Sequence, residues 1–276
     1  KKIERLENMK KLAKLWFGTE DIRHPGVYKF LSSGDYIISG KPYILNDYYR
    51  NTSNKYELTP LQSRFVFDHN GWHNIVGFHT RNVPHFGHEY IQMAALKKIN
   101  ADAIFISPVT GEKKIGDFLA DPIIQCYDLL IKELTYHPYG AIIGSFNTHS
   151  RFSGPREAIF TALCRQNFGC NYFIVGRDHT GVGNYYDPNA SIRLFDKLDL
   201  KIKIISFYPV VYKIGHGLIE QTPNNEEEIS QKISGSIIRN HLINKKPIPE
   251  YMMRTSISNL LRKIKPDFLF QQKKID

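Results

Sequence analysis

The sequence has little that would cross-link or anchor it. Three cysteines, Cys126, Cys164 and Cys170, form no Cys-x-x-Cys pair and have no histidine at zinc-finger spacing, so a disulfide framework and a structural zinc are not expected. They read as small buried hydrophobes. No apolar run approaches the roughly 18 to 20 residues that cross a bilayer, and the basic opening KKIERLENMKK lacks the apolar core of a signal peptide. The expected compartment is the cytoplasm, with no membrane partner. GxxxxGK[ST], GxSxG and HExxH are absent, and no GxGxxG follows the first strand of the α/β region, which sets aside P-loop kinases, serine hydrolases, zincins and the standard dinucleotide fold. Internal repeats and low-complexity segments are also missing.

What is present is enough apolar material for a sizeable core: 276 residues, 42% apolar and 13% aromatic. Thirty-seven Lys plus Arg against 27 Asp plus Glu give a formal charge of +10, which suits polyanions or small anionic ligands, although a composition rich in Lys, Ile and Asn would produce the same excess. The chain opens on Lys1 rather than Met, which reads as the interior of a longer polypeptide.

Residues 1 to about 17 carry apolar groups at helical spacing (Ile3, Leu6, Met9, Leu12, Leu15, Trp16), predicting an amphipathic helix that ends near Gly18. Residues 24 to 70, with Pro25-Gly26 and short runs such as YIISG and PYILND, read as small β structure with turns. From Asn74 the texture changes. Strand-like runs (NIVGFHT, ADAIFISPV, GAIIGSF, CNYFIVG, KIKIISFY) alternate with helical segments, an order that specifies a Rossmann-like parallel sheet covered by helices. One of these helices is expected to start with Asp121 as cap and Pro122 at its first position. After Tyr208 a hairpin around Gly215 to Gly217, an acidic stretch Glu226 to Glu228 and a helix over Ser236 to Asn244 are expected.

In an open α/β sheet the ligand sits beyond the carboxyl ends of the strands. Four loops there, residues 79 to 88, 107 to 118, 146 to 156 and 176 to 187, are dense in His, Arg, Lys, Asn and Gly. In the first, Arg81, Asn82, His85 and His88 lie between a strand and a helix starting near Gly87, so backbone N–H groups and the helix dipole favour an oligophosphate. His85 and His88, three residues apart, can share a pocket; zinc competes as a reading, but no third ligand is in register. In the fourth loop Gly176, Gly181 and Gly183 permit close approach to a ligand, while Arg177, Asp178 and His179 supply a fixed positive fork, an orienting carboxylate and a donor.

The H-x-G-H set after a first strand resembles the nucleotidylyltransferase superfamily and, more narrowly, the ATP sulfurylase (sulfate adenylyltransferase) family. The matching segments are FGTEDIRHPGV (17–27), GFHTRNVPHFGHEY (77–90), SPVTGEKKIGDF (107–118), SGPREAIFTALCRQNFGCNYFIVGRDHTG (153–181), YYDPNAS (185–191) and ISGSIIRNHLINKKPIPEYM (233–252), in family order and over most of the chain. The resemblance implies three parts: residues 1–70 as the end of a β-rich, PUA-like amino-terminal region with a leading helix, 71–210 as the nucleotidylyltransferase catalytic domain, and 211–276 as its carboxy-terminal extension. Family enzymes carry a larger amino-terminal domain, so either the front is missing or the chain is a short variant.

The implied reaction is ATP plus sulfate to adenosine 5′-phosphosulfate plus pyrophosphate, by in-line attack with no protein nucleophile, and Mg²⁺ arriving with the ATP. Arg81, Asn82, His85, His88 and Arg177 would be catalytic. His79, Thr80, Arg81 and Gly181 would hold the acceptor. Asn82, His85, His88, Gly176, Arg177, Asp178 and His179 would hold ATP. No protein-bound metal is expected. The family reads Gln-Thr-Arg-Asn where this chain has His79-Thr80-Arg81-Asn82, so another oxyanion is an alternative acceptor. Protonation of His79 would be expected to tighten anion binding as pH falls. An inactive nucleotide-binding subunit is the remaining alternative. Nucleic acid is not expected as a partner, since the basic residues gather in the loops of one pocket, and a homo-oligomer is compatible with the sequence.

Overall fold

The computed structural model describes residues 2–43, 55–176, 182–225 and 229–272. The chain divides into two compact units. One comprises residues 1–55, 150–161 and 178–199, the other residues 56–149, 162–177 and 200–276.

The smaller unit begins differently from the expected single helix. Lys2–Arg5 (β1) pairs antiparallel with Tyr36–Ser39 (β2), and only Met9–Phe17 (α1) is helical. The break lies at Asn8, which sits at positive φ and accepts the Lys11 N–H as helix cap; Gly18, at φ 75°, closes the other end. Within residues 24–70 the run YIISG is strand β2 as expected and most of PYILND lies outside the described residues, but two helices replace the rest of the expected β structure. Pro25–Ser32 (α2) and, in the larger unit, Pro60–His69 (α3) are helices, each with proline at its first turn. His24 caps α2 through Nδ1, and Thr59 with Gln62 forms a capping box on α3. The smaller unit brings together three segments of the family resemblance. Tyr186 Oη meets His24 Nε2 at 3.1 Å and donates to the Phe152 carbonyl at 2.8 Å, and Tyr185 Oη donates to Asp21 at 3.0 Å.

The larger unit holds the expected parallel sheet. Ile75–Thr80 (β3), Ala103–Pro108 (β4), Gly140–Ile143 (β5), Tyr172–Gly176 (β6) and Lys203–Phe207 (β7) are all parallel, in the order β5-β4-β3-β6-β7. The connections from β3 run outward in one direction through β4 and β5, then return to place β6 on its other side. The switch point therefore lies between the carboxyl ends of β3 and β6, at Thr80 and Gly176.

Phe86–Lys98 (α4), Ala120–Lys132 (α5) and Pro155–Phe168 (α6) are the crossover helices, the first half of α6 belonging to the smaller unit. Helix α5 starts earlier than expected: Leu119 is its cap, without a side-chain hydrogen bond, and Pro122 is the third helical residue, still within the turn whose N–H groups lack helical acceptors. Strand alternation splits β4 between two faces. Ile104 and Ile106 enter a core with Val76 and Phe78 of β3, Leu96, Tyr127 and Leu130, while Phe105 meets Phe67 and Phe168 elsewhere in the unit.

After Ala190–Phe195 (α7), the expected hairpin forms from Val210–Lys213 (β8) and Gly217–Glu220 (β9), with Gln231–Lys232 (β10) on the other edge of β8. Glu226 to Glu228 lie outside the described residues. The expected last helix is Gly235–Ile243 (α8), and two more follow, Thr255–Lys263 (α9) and Pro266–Leu269 (α10). Cys126 and Cys170 are buried, Cys164 is half-buried and all three are free thiols. Among the described residues no helix is long and apolar enough to cross a membrane.

Candidate active site

The chain leaves β3 through Thr80, Arg81 and Asn82 and enters α4 at His85. Thr80 fixes this turn by exchanging hydrogen bonds with the Asn82 backbone: Asn82 N–H donates to its hydroxyl at 3.1 Å, and the hydroxyl donates to the Asn82 carbonyl at 3.0 Å. His85 stands at the cap of α4, just before its first turn. Its Nδ1 accepts the His88 N–H at 3.3 Å, which places the ring proton on Nε2. The two imidazoles stack with centroids 3.8 Å apart, and His88 Nδ1 lies 3.3 Å from Tyr127 Oη on α5.

Burial lowers His85 to about 4, and burial together with the neighbouring His85 lowers His88 well below the ordinary histidine value. At neutral pH both rings are uncharged N–H donors. Among the described residues no group of three or more His, Cys, Asp or Glu could hold a metal ion.

Positive charge comes from elsewhere. Arg239 on α8 donates to Asn82 Oδ1 at 2.7 Å and lies 3.7 Å from Asp117. Burial lowers Arg239, partly offset by Asp117 and reinforced by Arg81. Lys113, which donates to the Val109 carbonyl, is lowered by burial to about 8, with Asp117 opposing and Arg81 adding to the shift. Lys113 and Arg239 thus each feel both Asp117 and Arg81. Loop 109–118 holds this arrangement because both its ends are tied. Thr110 N–H donates to the Phe146 carbonyl at 3.0 Å, while Gly116 N–H donates to the Gln271 carbonyl and Gln271 N–H to the Asp117 carbonyl, each at 2.9 Å.

His79, at the carboxyl end of β3, accepts a 2.7 Å hydrogen bond at Nδ1 from the buried Arg165. Gly176 ends β6 as expected, whereas Arg177, Asp178, His179 and Gly181 lie outside the described residues. The structure brings Thr80, Asn82, His85 and His88 together in the turn between β3 and α4. Its partners Lys113, Asp117, Tyr127, Arg165 and Arg239 were not singled out by sequence. Lys113, Asp117, Arg165 and Arg239 do lie inside segments carrying the family resemblance, which was the available signal; Tyr127 had none.

The ATP-sulfurylase family model matches residues 54–264. The chain is 41% identical over 257 residues to the sulfate adenylyltransferase of Pyrococcus abyssi and 39% identical over 257 residues to that of Thermococcus onnurineus, in both cases covering 92% of this chain and 66% of the relative. It belongs to the ATP-sulfurylase family. A bacterial relative, the sulfate adenylyltransferase of Carboxydothermus hydrogenoformans, is 36% identical over 253 residues, which is 90% of this chain and 65% of that protein. The chain thus spans just under two thirds of the length of these ATP-sulfurylase relatives. Among solved structures, a hexameric APS kinase from Thiobacillus denitrificans matches with a TM-score of 0.59 at 14% identity, covering 84% of this chain and 43% of that one. That likeness concerns the fold.

Proposed function

We propose that this chain transfers the adenylyl group of ATP to sulfate, giving adenosine 5′-phosphosulfate and pyrophosphate. The observation that carries the reading is that Lys113 and Arg239 each feel Arg81 and the Asp117 carboxylate, with Arg239 bonded to Asn82 in the turn that leads to two stacked neutral imidazoles at a helix N-terminus. A sulfate oxygen attacks the α-phosphorus in line, and the bond to the bridging oxygen of pyrophosphate breaks. No protein nucleophile and no proton transfer are needed. The work is to hold two anions in contact and to stabilise charge growing on the leaving oxygen.

In this reading Arg81 takes the acceptor, with His79 and Thr80 beside it. His85 and His88 donate from Nε2 to the phosphates. A neutral donor suits the task, because its strength does not vary with pH around 7. Asn82, aimed by Arg239, donates next to them. We assign Gly176, Arg177, Asp178 and His179 to ATP and Gly181 to the acceptor on the family resemblance of their segment. Mg²⁺ travels on the phosphate oxygens, which fits a donor set that is basic and amide-rich rather than acidic. We further propose residues 71–210 as the catalytic region, 211–276 as its extension and 1–70 as the end of an amino-terminal region. ATP as substrate places the activity in the cytoplasm.

The test is pyrophosphate release from ATP in the presence of sulfate, phosphate, a phosphonate or a carboxylate, one at a time. Release with sulfate is expected. Release with another oxyanion and not sulfate would reassign the acceptor, and ATP binding without release in any condition would make the chain a nucleotide-binding subunit.

A further inference from the structure

Arg165 is the largest fully buried side chain of the described residues. Its guanidinium lies 4.7 Å over the Phe146 ring, and its NH2 donates to His79 Nδ1 at 2.7 Å. Among the described residues Nε and NH1 have no hydrogen-bond partner. Burial lowers Arg165 to about 10, so it remains charged at neutral pH. The titratable groups that act on it are the Cys164 and Cys170 thiols, and burial pushes Cys170 up to about 12; among the described residues no carboxylate contributes. A buried cation with two idle donors and no counter-charge is costly. Packing alone would be served better by an apolar side chain of the same size.

We propose that Arg165 is a positioning residue that holds the His79 imidazole as the neutral tautomer with its proton on Nε2, so that position 79 presents a fixed N–H donor to the oxyanion beside Arg81. The proposal rests on the adenylyl-transfer reading for the identity of the anion. The tautomer assignment does not. A guanidinium can only donate, so Nδ1 has to offer its lone pair. Adding a proton there would break the 2.7 Å bond and place two cations in contact. Gly77 makes the approach feasible: it lies two residues earlier on the same strand face, and a Cβ there would stand 3.2 Å from Arg165 Cβ and Cγ. On this proposal falling pH does not tighten anion binding through a doubly protonated His79. The donor count at position 79 is constant while Arg165 is in place.

Long-range nitrogen–proton NMR of protein carrying ¹⁵N-histidine tests this directly, with His79→Gln identifying the ring. In the wild type, His79 should show a protonated Nε2 and an unprotonated Nδ1 throughout pH 6 to 8. In Arg165→Met, an apolar replacement that removes the unpaired charge and should fold, the ring should become a tautomer mixture that titrates. Sulfate KM should rise about tenfold with kcat less affected, and should acquire a pH dependence. His79→Gln in the Arg165→Met background should abolish that pH dependence, and Arg165→Lys should recover part of the affinity. A His79 ring that titrates in the wild type, or keeps its tautomer in Arg165→Met, would overturn the proposal. Absence of sulfate-dependent pyrophosphate release in the wild type, with the tautomer as described, would instead overturn the adenylyl-transfer reading.

Discussion

Gly235, the first residue of α8, offers a perturbation that separates activity from stability. A Cβ built there would lie 2.7 Å from Asn82 Cγ and 2.8 Å from its Oδ1. That is 0.7 Å short of the 3.4 Å at which ordinary contact begins, so in Gly235→Ala the Asn82 side chain has to retreat by about that much. Retreat breaks the 2.7 Å bond from Arg239 and turns the amide away from the ligand space. The fold should be little affected. Gly235 is not at positive φ, alanine is the better helix former, and the displaced group is the end of a flexible side chain. Stability should change by no more than about 1 kcal/mol. A misplacement of about 1 Å can cost about a hundredfold in rate, so kcat/KM should fall by tens of fold. Pyrophosphate release measured beside a thermal melt gives both numbers for one preparation. A variant that melts normally and retains kcat/KM within a factor of about three would refute the role given to Asn82 and Arg239.

Two further predictions follow from titration. Lys113 loses its proton around pH 8 in the folded protein instead of near its ordinary 10.5, so ATP or sulfate KM should rise as pH passes 8, and Lys113→Met should show a uniformly higher, flatter KM profile. His85, lowered to about 4, binds a proton more readily unfolded than folded between pH 4 and 6.5. Stability is therefore full well above 6.5 and is lost on acidification, by about 1.6 kcal/mol between pH 6.5 and 5 for this ring; urea unfolding at the two pH values should show the loss, and His85→Gln should shrink it.

The parallel sheet was legible because each strand is a short apolar run with β-branched or aromatic residues, and β4 is buried along its whole length. The front of the chain was not. KIER is too short for its period to distinguish strand from helix, and Pro25-Gly26 reads as a turn unless His24 is recognised as a cap, a role more often filled by Ser, Thr, Asp or Asn. The loop after β3 was legible because its chemistry is local. Its partners arrive from afar: Arg239 reaches Asn82 across 157 residues, and Tyr127 reaches His88 across 39 from a helix face that otherwise reads as core. Arg165 lies in a resemblance segment, but its burial had no signal: a cation on a helix is ordinarily solvated, and nothing in the spacing marks this one as buried.

One imidazole closes the N-terminus of α4 and is also the donor proposed for the phosphates. The residues that serve best as caps, serine or aspartate, carry no ring, so replacing His85 with either would strengthen the helix end and remove the proposed donor in a single step. Stabilising this protein by improving its caps therefore has a forbidden position. In the proposed reading, selection for a sturdier scaffold and selection for turnover act on the same residue in opposite directions, one through Nδ1 and the other through Nε2.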